Sequence, residues 1–291
     1  LSLLIRNMKS PQTDSEGFGQ LEAKFRRLKE ILAAYKKVLI AYSGGVDSTF
    51  LLKAAIDCLG RENVLAGIGR SASLPQSEYD QAIRNAAKMS ARIEIVRTGE
   101  MNNPAYTSNS ADRCFYCKEE LYRLLEEIAH KKGYHTILCG NNADDVGDYR
   151  PGRRAAEGYS VAAPLEEAGM TKDDIRVLSR GLNLATWDKP AQPCLASRMA
   201  YGLEITAERL KQIEEGEAFL RSLGLDELRV RHHGNLVRIE APAYKISELA
   251  DESLRGQIVT FFKKLGFTYV SLDLEGFRSG SGNEILPDRD S

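Results

Sequence analysis

VLIAYSGGVDSTFLLKAA, residues Val38 to Ala55, joins an apolar run to a glycine turn and then to a helical stretch. Strand, turn and helix in that order form a layout that holds phosphate on backbone amides and a helix N-terminus. The common phosphate loop, GxxxxGK[ST], adds a lysine that reaches the terminal phosphates and assists transfer of the outermost one. No lysine stands in Ser43-Gly44-Gly45-Val46-Asp47-Ser48. Its adjacent glycines let amides approach an anion closely, and a nest of that kind can hold pyrophosphate as a leaving group. The chemistry it suits is attack at the α-phosphorus of ATP, giving an adenylated acceptor. The plain alternative is a tight turn with Asp47 or Ser48 capping a helix.

Outward from this stretch, short apolar runs recur at Val38–Tyr42, Val64–Ile68, Ile93–Val96 and Thr136–Cys139. Between them lie helical patterns near Ser48–Leu59, Gln76–Ser90 and Cys117–Lys132, after a first amphipathic helix over Gly19–Tyr35. Such alternation predicts an α/β fold, a doubly wound parallel sheet with its ligand beyond the carboxyl ends of the strands. Gly140, Asn141 and the pair Asp144/Asp145 follow another strand and are expected at the same crevice, a carboxylate holding Mg²⁺ against the phosphates. The alternative for Asp144 and Asp145 is solvated turn residues capping a helix.

A helix over Thr171–Leu182 leads into LATWDKPAQPCLASRMAYG, which has no period and reads as a linker or active-site loop. Beyond it the order is a helix over Thr206–Leu223, a hairpin RVRHHGNLVRIE, a helix around Ser253–Leu265 and a strand Thr268–Leu274. This predicts a second, smaller α+β domain. The expected divisions are 18–185, a loop at 186–204 and 205–286, with a loose tail after Gly276.

Lys plus Arg (40) nearly cancels Asp plus Glu (41), so no overall field draws the chain to nucleic acid. The start, LSLLIRNMKS, reverses the charge order of a signal peptide, and no stretch approaches the roughly 20 apolar residues of a membrane span. A cytoplasmic address is expected.

Five cysteines in a chain of this length point to reduced, metal-binding or catalytic thiols rather than staples. Cys114 and Cys117, in DRCFYCKEELYRLLEEI, fall on one face of a helix's first turn. A redox disulfide or two half-buried thiols are the alternatives there. Cys194 lies in QPCLASR beside Ser197 and Arg198, where a thiolate is expected to be stabilised and accessible. Cys58 and Cys139 read as core residues. Three thiolates without a fourth ligand suit a 4Fe-4S cluster with one open iron, filled by a soft anion such as hydrosulfide.

SGGVDS after an apolar run resembles the signature of the PP-loop ATP pyrophosphatases, which include GMP, NAD and asparagine synthetases and several tRNA thiolases. Together with CFYCK, GNNADD, GDYRPG, WDKPAQPCLASR and the LRVRHHG hairpin, it resembles the LarE family over about Phe18 to Leu286. That resemblance implies adenylation of a carboxylate of pyridinium-3,5-biscarboxylic acid mononucleotide and replacement of oxygen by sulfur, in biosynthesis of the nickel-pincer nucleotide cofactor of lactate racemase. It implies that Ser43, Gly44, Gly45, Asp47 and Ser48 bind ATP phosphates, Gly140 and Asn141 lie beside them, and Asp145 assists Mg²⁺. Arg198, Arg229 and Arg231 would meet the substrate's phosphate or carboxylates, and a solvent face of the hairpin is the alternative for the last two. Glu217 is a weaker candidate, since a glutamate in IEEGEAFL is more often exposed. Within the family, sulfur comes either from a single sacrificed cysteine, here Cys194, or from sulfide on a three-cysteine cluster, here Cys114, Cys117 and Cys194. The cysteine pattern favours the cluster version, and a homo-oligomer is implied.

A tRNA thiolase is the rival enzyme, weakened by the near-zero charge. An amidotransferase-fed synthetase lacks a visible glutaminase, and a regulatory ATP-binding module would leave Cys194 without a use.

Overall fold

The computed structural model describes residues 15–146, 151–225, 227–278 and 280–284. The LSLLIRNMKS start and the GDYR part of the GDYRPG motif lie outside the described residues. The chain divides into two compact units. The first takes its described residues from 15–71, 76–99, 114–146 and 151–192. The second takes 72–75, 100–113 and those from 193 onward.

In the first unit, α1 (Ser15–Ala33) precedes β1 (Val38–Ala41), α2 (Val46–Leu59), β2 (Val64–Arg70), α3 (Gln76–Lys88) and β3 (Arg92–Arg97). Then come α4 (Arg113–Lys132), β4 (Thr136–Leu138), α5 (Pro151–Gly158) and α6 (Lys172–Gly181). The four strands form one all-parallel sheet in the order β3-β2-β1-β4. Period-two alternation along β1 explains the double winding. Val38 and Ile40 enter a core with Leu28 and Leu32 of α1, Phe50 of α2 and Ile175 of α6, whereas Leu39 enters another with Leu125 of α4 and Ala155 of α5. Helices therefore cover both faces, as the alternating pattern predicts. Strand order reverses beside β1, so the turns after β1 and β4 flank the crevice where such sheets bind ligands.

The second unit has α7 (Ala207–Ser222), β5 (Arg229–His233), β6 (Leu236–Glu240), α8 (Glu252–Lys264) and β7 (Tyr269–Leu272). β5 and β6 pair antiparallel as the expected hairpin, and β7 adds parallel to β6. Early chain segments complete this unit: Thr107 O accepts from Ile205 N at 2.7 Å, and Ser73 O from Leu195 N at 2.8 Å. The described tail residues after Gly276 are tied down, contrary to the expected loose tail. Phe277 N donates to Ala241 O at 2.8 Å, and Ser281 is buried against Arg231 and Glu240, so backbone pairing and a buried charge network tie it down.

Among the described residues, no helix is long and apolar enough to cross a membrane.

Candidate functional site

α2 starts with Gly45 as its N-cap and no side-chain cap, so neither Asp47 nor Ser48 is there to cap the helix. Instead the Ser48 hydroxyl sits inside the turn, 3.0 Å from Ser43 Oγ, and accepts from Ser43 N at 3.3 Å. Gly44 has φ +73°, and a Cβ there would stand 2.6 Å from Ala82 Cβ on α3. Left-handed backbone and absent space both require glycine. Gly140, just after β4, comes so close that a Cβ would lie 3.0 Å from Ser48 N. The turn after β4 thus packs directly against the start of α2, whose leading amides lack helical partners and carry the positive dipole end.

The loop has no lysine, yet the fold brings two to it. Lys172, the first residue of α6, places Nζ 2.5 Å from Asp47 Oδ2, and its backbone N–H donates to Asp144 Oδ2 at 2.8 Å. Lys189 places Nζ 3.4 Å from Gly44 O and 2.6 Å from Glu78 Oε2. The sequence reading missed both. The capping box of Thr171 and Asp174 marks Lys172 as the first residue of α6, but no local signal says which turn that helix meets.

Asp47 Oδ1 is buried and has no hydrogen-bond partner among the described residues. A buried acceptor left this way costs about 1–3 kcal/mol unless a ligand meets it, and a hard oxygen suits Mg²⁺. The site therefore fits that ion. Asp145, expected to assist, is buried rather than a solvated turn residue, and its Oδ2 accepts from Asn142 N at 3.0 Å in a capping box. Asp144 is exposed.

In the second unit, Cys194 is half-buried at the start of a single turn, Leu195–Arg198. Arg198 does not present its charge to solvent. Its side chain is 1% exposed; Nη1 donates to the carbonyls of Cys194 (3.0 Å) and Pro193, and Nε donates to Glu217 Oε1 at 3.0 Å. The reason is Glu217, which is buried on α7 rather than exposed. Burial alone would raise its carboxyl pKa; Arg198 and Arg221 hold it below the usual value. Arg198 thus grips the backbone that carries Cys194.

Arg229 and Arg231 separate in role. Arg231 is buried, donating to Glu240 Oε1, Ser197 O and Ser281 Oγ, each at 3.0 Å. Neither a solvent face nor an open anion contact describes it. Arg229 is half-buried, its guanidinium 4.9 Å from the Phe277 ring, and its described hydrogen bond is to Leu228 O. Burial and then Arg198 lower its pKa, with Arg231 and Arg221 adding and Glu217 opposing. A half-buried guanidinium among other guanidiniums favours an incoming anion.

Cys114 is exposed and Cys117 half-buried on the first turns of α4, and all five cysteines are thiols. Two soft donors one turn apart suit iron or zinc, while the third ligand expected from the sequence, Cys194, belongs to the second unit. Among the described residues, no group of three His, Cys, Asp or Glu is gathered for a metal ion. Cys139 is buried after β4 with its thiol pushed up by burial, and Cys58 packs against the core, also pushed up by burial.

No protein-family model matches the chain. It is 44% identical over 91% of its length to an uncharacterized protein of Synechocystis sp., covering 99% of that protein. It is 35% identical, over 91% of its length and 96% of the relative's, to the pyridinium-3,5-bisthiocarboxylic acid mononucleotide synthase of Lactiplantibacillus plantarum. Over 84 residues, 29% of this chain and 30% of the relative, it is 31% identical to an NH(3)-dependent NAD(+) synthetase of Methanopyrus kandleri.

Proposed function

The chain belongs to the LarE family, that of the pyridinium-3,5-bisthiocarboxylic acid mononucleotide synthases, and from that premise we propose that it is an ATP-dependent sulfur-inserting enzyme acting on the corresponding biscarboxylic acid mononucleotide. The observation that carries this reading is the lysine-free turn Ser43–Ser48, with Asp47 Oδ1 buried and without a hydrogen-bond partner among the described residues, and Lys172 docked from α6.

ATP is held with its β- and γ-phosphates in the turn, against the amides at the start of α2 and the backbone of Gly140 and Asn141. Lys172 offsets their charge. Asp47, with Asp145 as second carboxylate, would hold Mg²⁺, which offsets charge building on the phosphates. A carboxylate oxygen of the substrate attacks the α-phosphorus; the bond to the bridging oxygen breaks, and pyrophosphate remains in the turn. Arg229 meets an anionic group of the substrate, while Arg198, Glu217 and Arg231 fix the Cys194 loop and the strand beside it. A sulfur nucleophile then adds to the acyl carbon, and the carbon–oxygen bond to AMP breaks, leaving a thiocarboxylate.

We assign the sulfur to exogenous sulfide; Cys114, Cys117 and Cys194 are the residues that would hold a 4Fe-4S cluster, and such a cluster would supply a labile position for hydrosulfide. The family's alternative is sacrifice of Cys194 itself. A cytoplasmic address is proposed from the sequence pattern, and a homo-oligomer from the resemblance.

Anaerobic incubation of iron- and sulfide-reconstituted protein with Mg-ATP, sulfide and the mononucleotide, read by mass spectrometry, tests this. Repeated thiolation, lost in Cys114→Ala, Cys117→Ala and Cys194→Ala, supports the cluster route. One turnover with loss of sulfur from Cys194 supports sacrifice. Absence of pyrophosphate and of thiolated product overturns the substrate assignment.

A further inference from the structure

Segment 184–192 leaves α6 without regular structure, yet it is ordered: Trp187 N donates to Leu184 O, and Lys189 N to Thr186 O, both at 3.1 Å. The turns aim Lys189 inward, where its side chain is 10% exposed. There Nζ bridges two features of the same crevice, Glu78 Oε2 at 2.6 Å and Gly44 O at 3.4 Å. Glu78 stands one turn before Ala82 on α3, and Ala82 is the residue against which Gly44 packs without room for a Cβ. Gly44 is therefore held from two sides, by Ala82 in contact and by an ammonium on its carbonyl.

We propose that Lys189 is a positioning residue for the phosphate-binding turn. By holding the Gly44 carbonyl toward α3, it keeps that peptide in the left-handed conformation, so that the following amides point into the anion site rather than the carbonyl oxygen. Glu78 fixes the ammonium at that carbonyl. The lysine absent from the loop is thus present in space, acting on the backbone that binds phosphate. This inference rests on the reading of the turn as a pyrophosphate site.

The test is calorimetric titration of the full chain with inorganic pyrophosphate, ATP and AMP, for wild type, Lys189→Ala, Lys189→Arg and Glu78→Gln. AMP does not occupy the part of the turn that holds the leaving group. Loss of one charge-assisted hydrogen bond predicts that Lys189→Ala weakens pyrophosphate and ATP by about tenfold and leaves AMP unchanged. Lys189→Arg should return both to within about threefold of wild type, and Glu78→Gln should weaken pyrophosphate relative to AMP in the same direction. A pair with only a structural role would lower the melting temperature and leave the pyrophosphate-to-AMP ratio intact. An unchanged ratio in folded Lys189→Ala, or in Glu78→Gln if the former does not fold, overturns this proposal alone. A wild-type protein that binds neither ATP nor pyrophosphate overturns the adenylation reading as well.

Discussion

Lys172 Nζ stands 2.5 Å from Asp47 Oδ2 although the two residues are 125 positions apart. The pair joins the start of α6 to the start of α2, and the other Asp47 oxygen is buried without a hydrogen-bond partner among the described residues. Both side chains are partly exposed, so the ion pair adds at most about 1 kcal/mol to stability. Its consequence is expected in chemistry instead. Asp47→Asn and Lys172→Ala should each lower ATP-dependent pyrophosphate release by about a hundredfold or more, with melting temperatures near wild type. A coupled pyrophosphate assay with matched thermal melts checks this.

The ion pair of Arg198 and Glu217 predicts the reverse balance. Removing one partner of a buried pair leaves an uncompensated charge and costs about 3–5 kcal/mol. Arg198→Met should therefore destabilise the protein by that order. The double variant with Glu217→Met should lose less than the two single losses combined, which urea unfolding measures.

Legibility divided along the same line. The α/β order and the crevice at the ends of β1 and β4 could be read because periodicity and glycine turns are local signals. Lys172 and Lys189 could not be placed, since nothing local says which distant segment meets a turn. Glu217 was readable in part: with Leu210, Ile213 and Leu220 it completes the buried stripe of α7, which argues against an exposed glutamate. The tail escaped because its order depends on Arg231 and Glu240 receiving Ser281 rather than on any pattern of its own.

His232 makes stability depend on pH. It is buried, Nδ1 accepts from Gly234 N, and Nε2 lies 2.9 Å from Gln212 Oε1, so the ring is neutral. Burial first, then Arg209 and His233, lower its pKa from 6.5 to about 4. The unfolded chain takes up this proton below about pH 6.5 and the folded chain only near pH 4. Its contribution is thus full above 6.5 and is lost as pH falls toward 4, by up to about 3 kcal/mol. Urea unfolding at pH 7 and 4.5 should show a steeper loss for wild type than for His232→Gln.

Gly140→Ala separates packing from turnover. The added methyl meets the backbone of Ser48 at 3.0 Å, backbone that cannot swing away as a side chain would. Expected are a stability loss of about 1–3 kcal/mol and a larger proportional loss of ATP turnover, read from melts and pyrophosphate release on one preparation.

The central claim is that the substrate carboxylate itself attacks the α-phosphorus of ATP. Its most direct measurement uses mononucleotide labelled with ¹⁸O in the carboxylates, with AMP analysed by mass spectrometry after turnover. The account predicts that AMP acquires a single ¹⁸O for each sulfur inserted. Thiolated product accompanied by unlabelled AMP, or by label in inorganic phosphate, would contradict it.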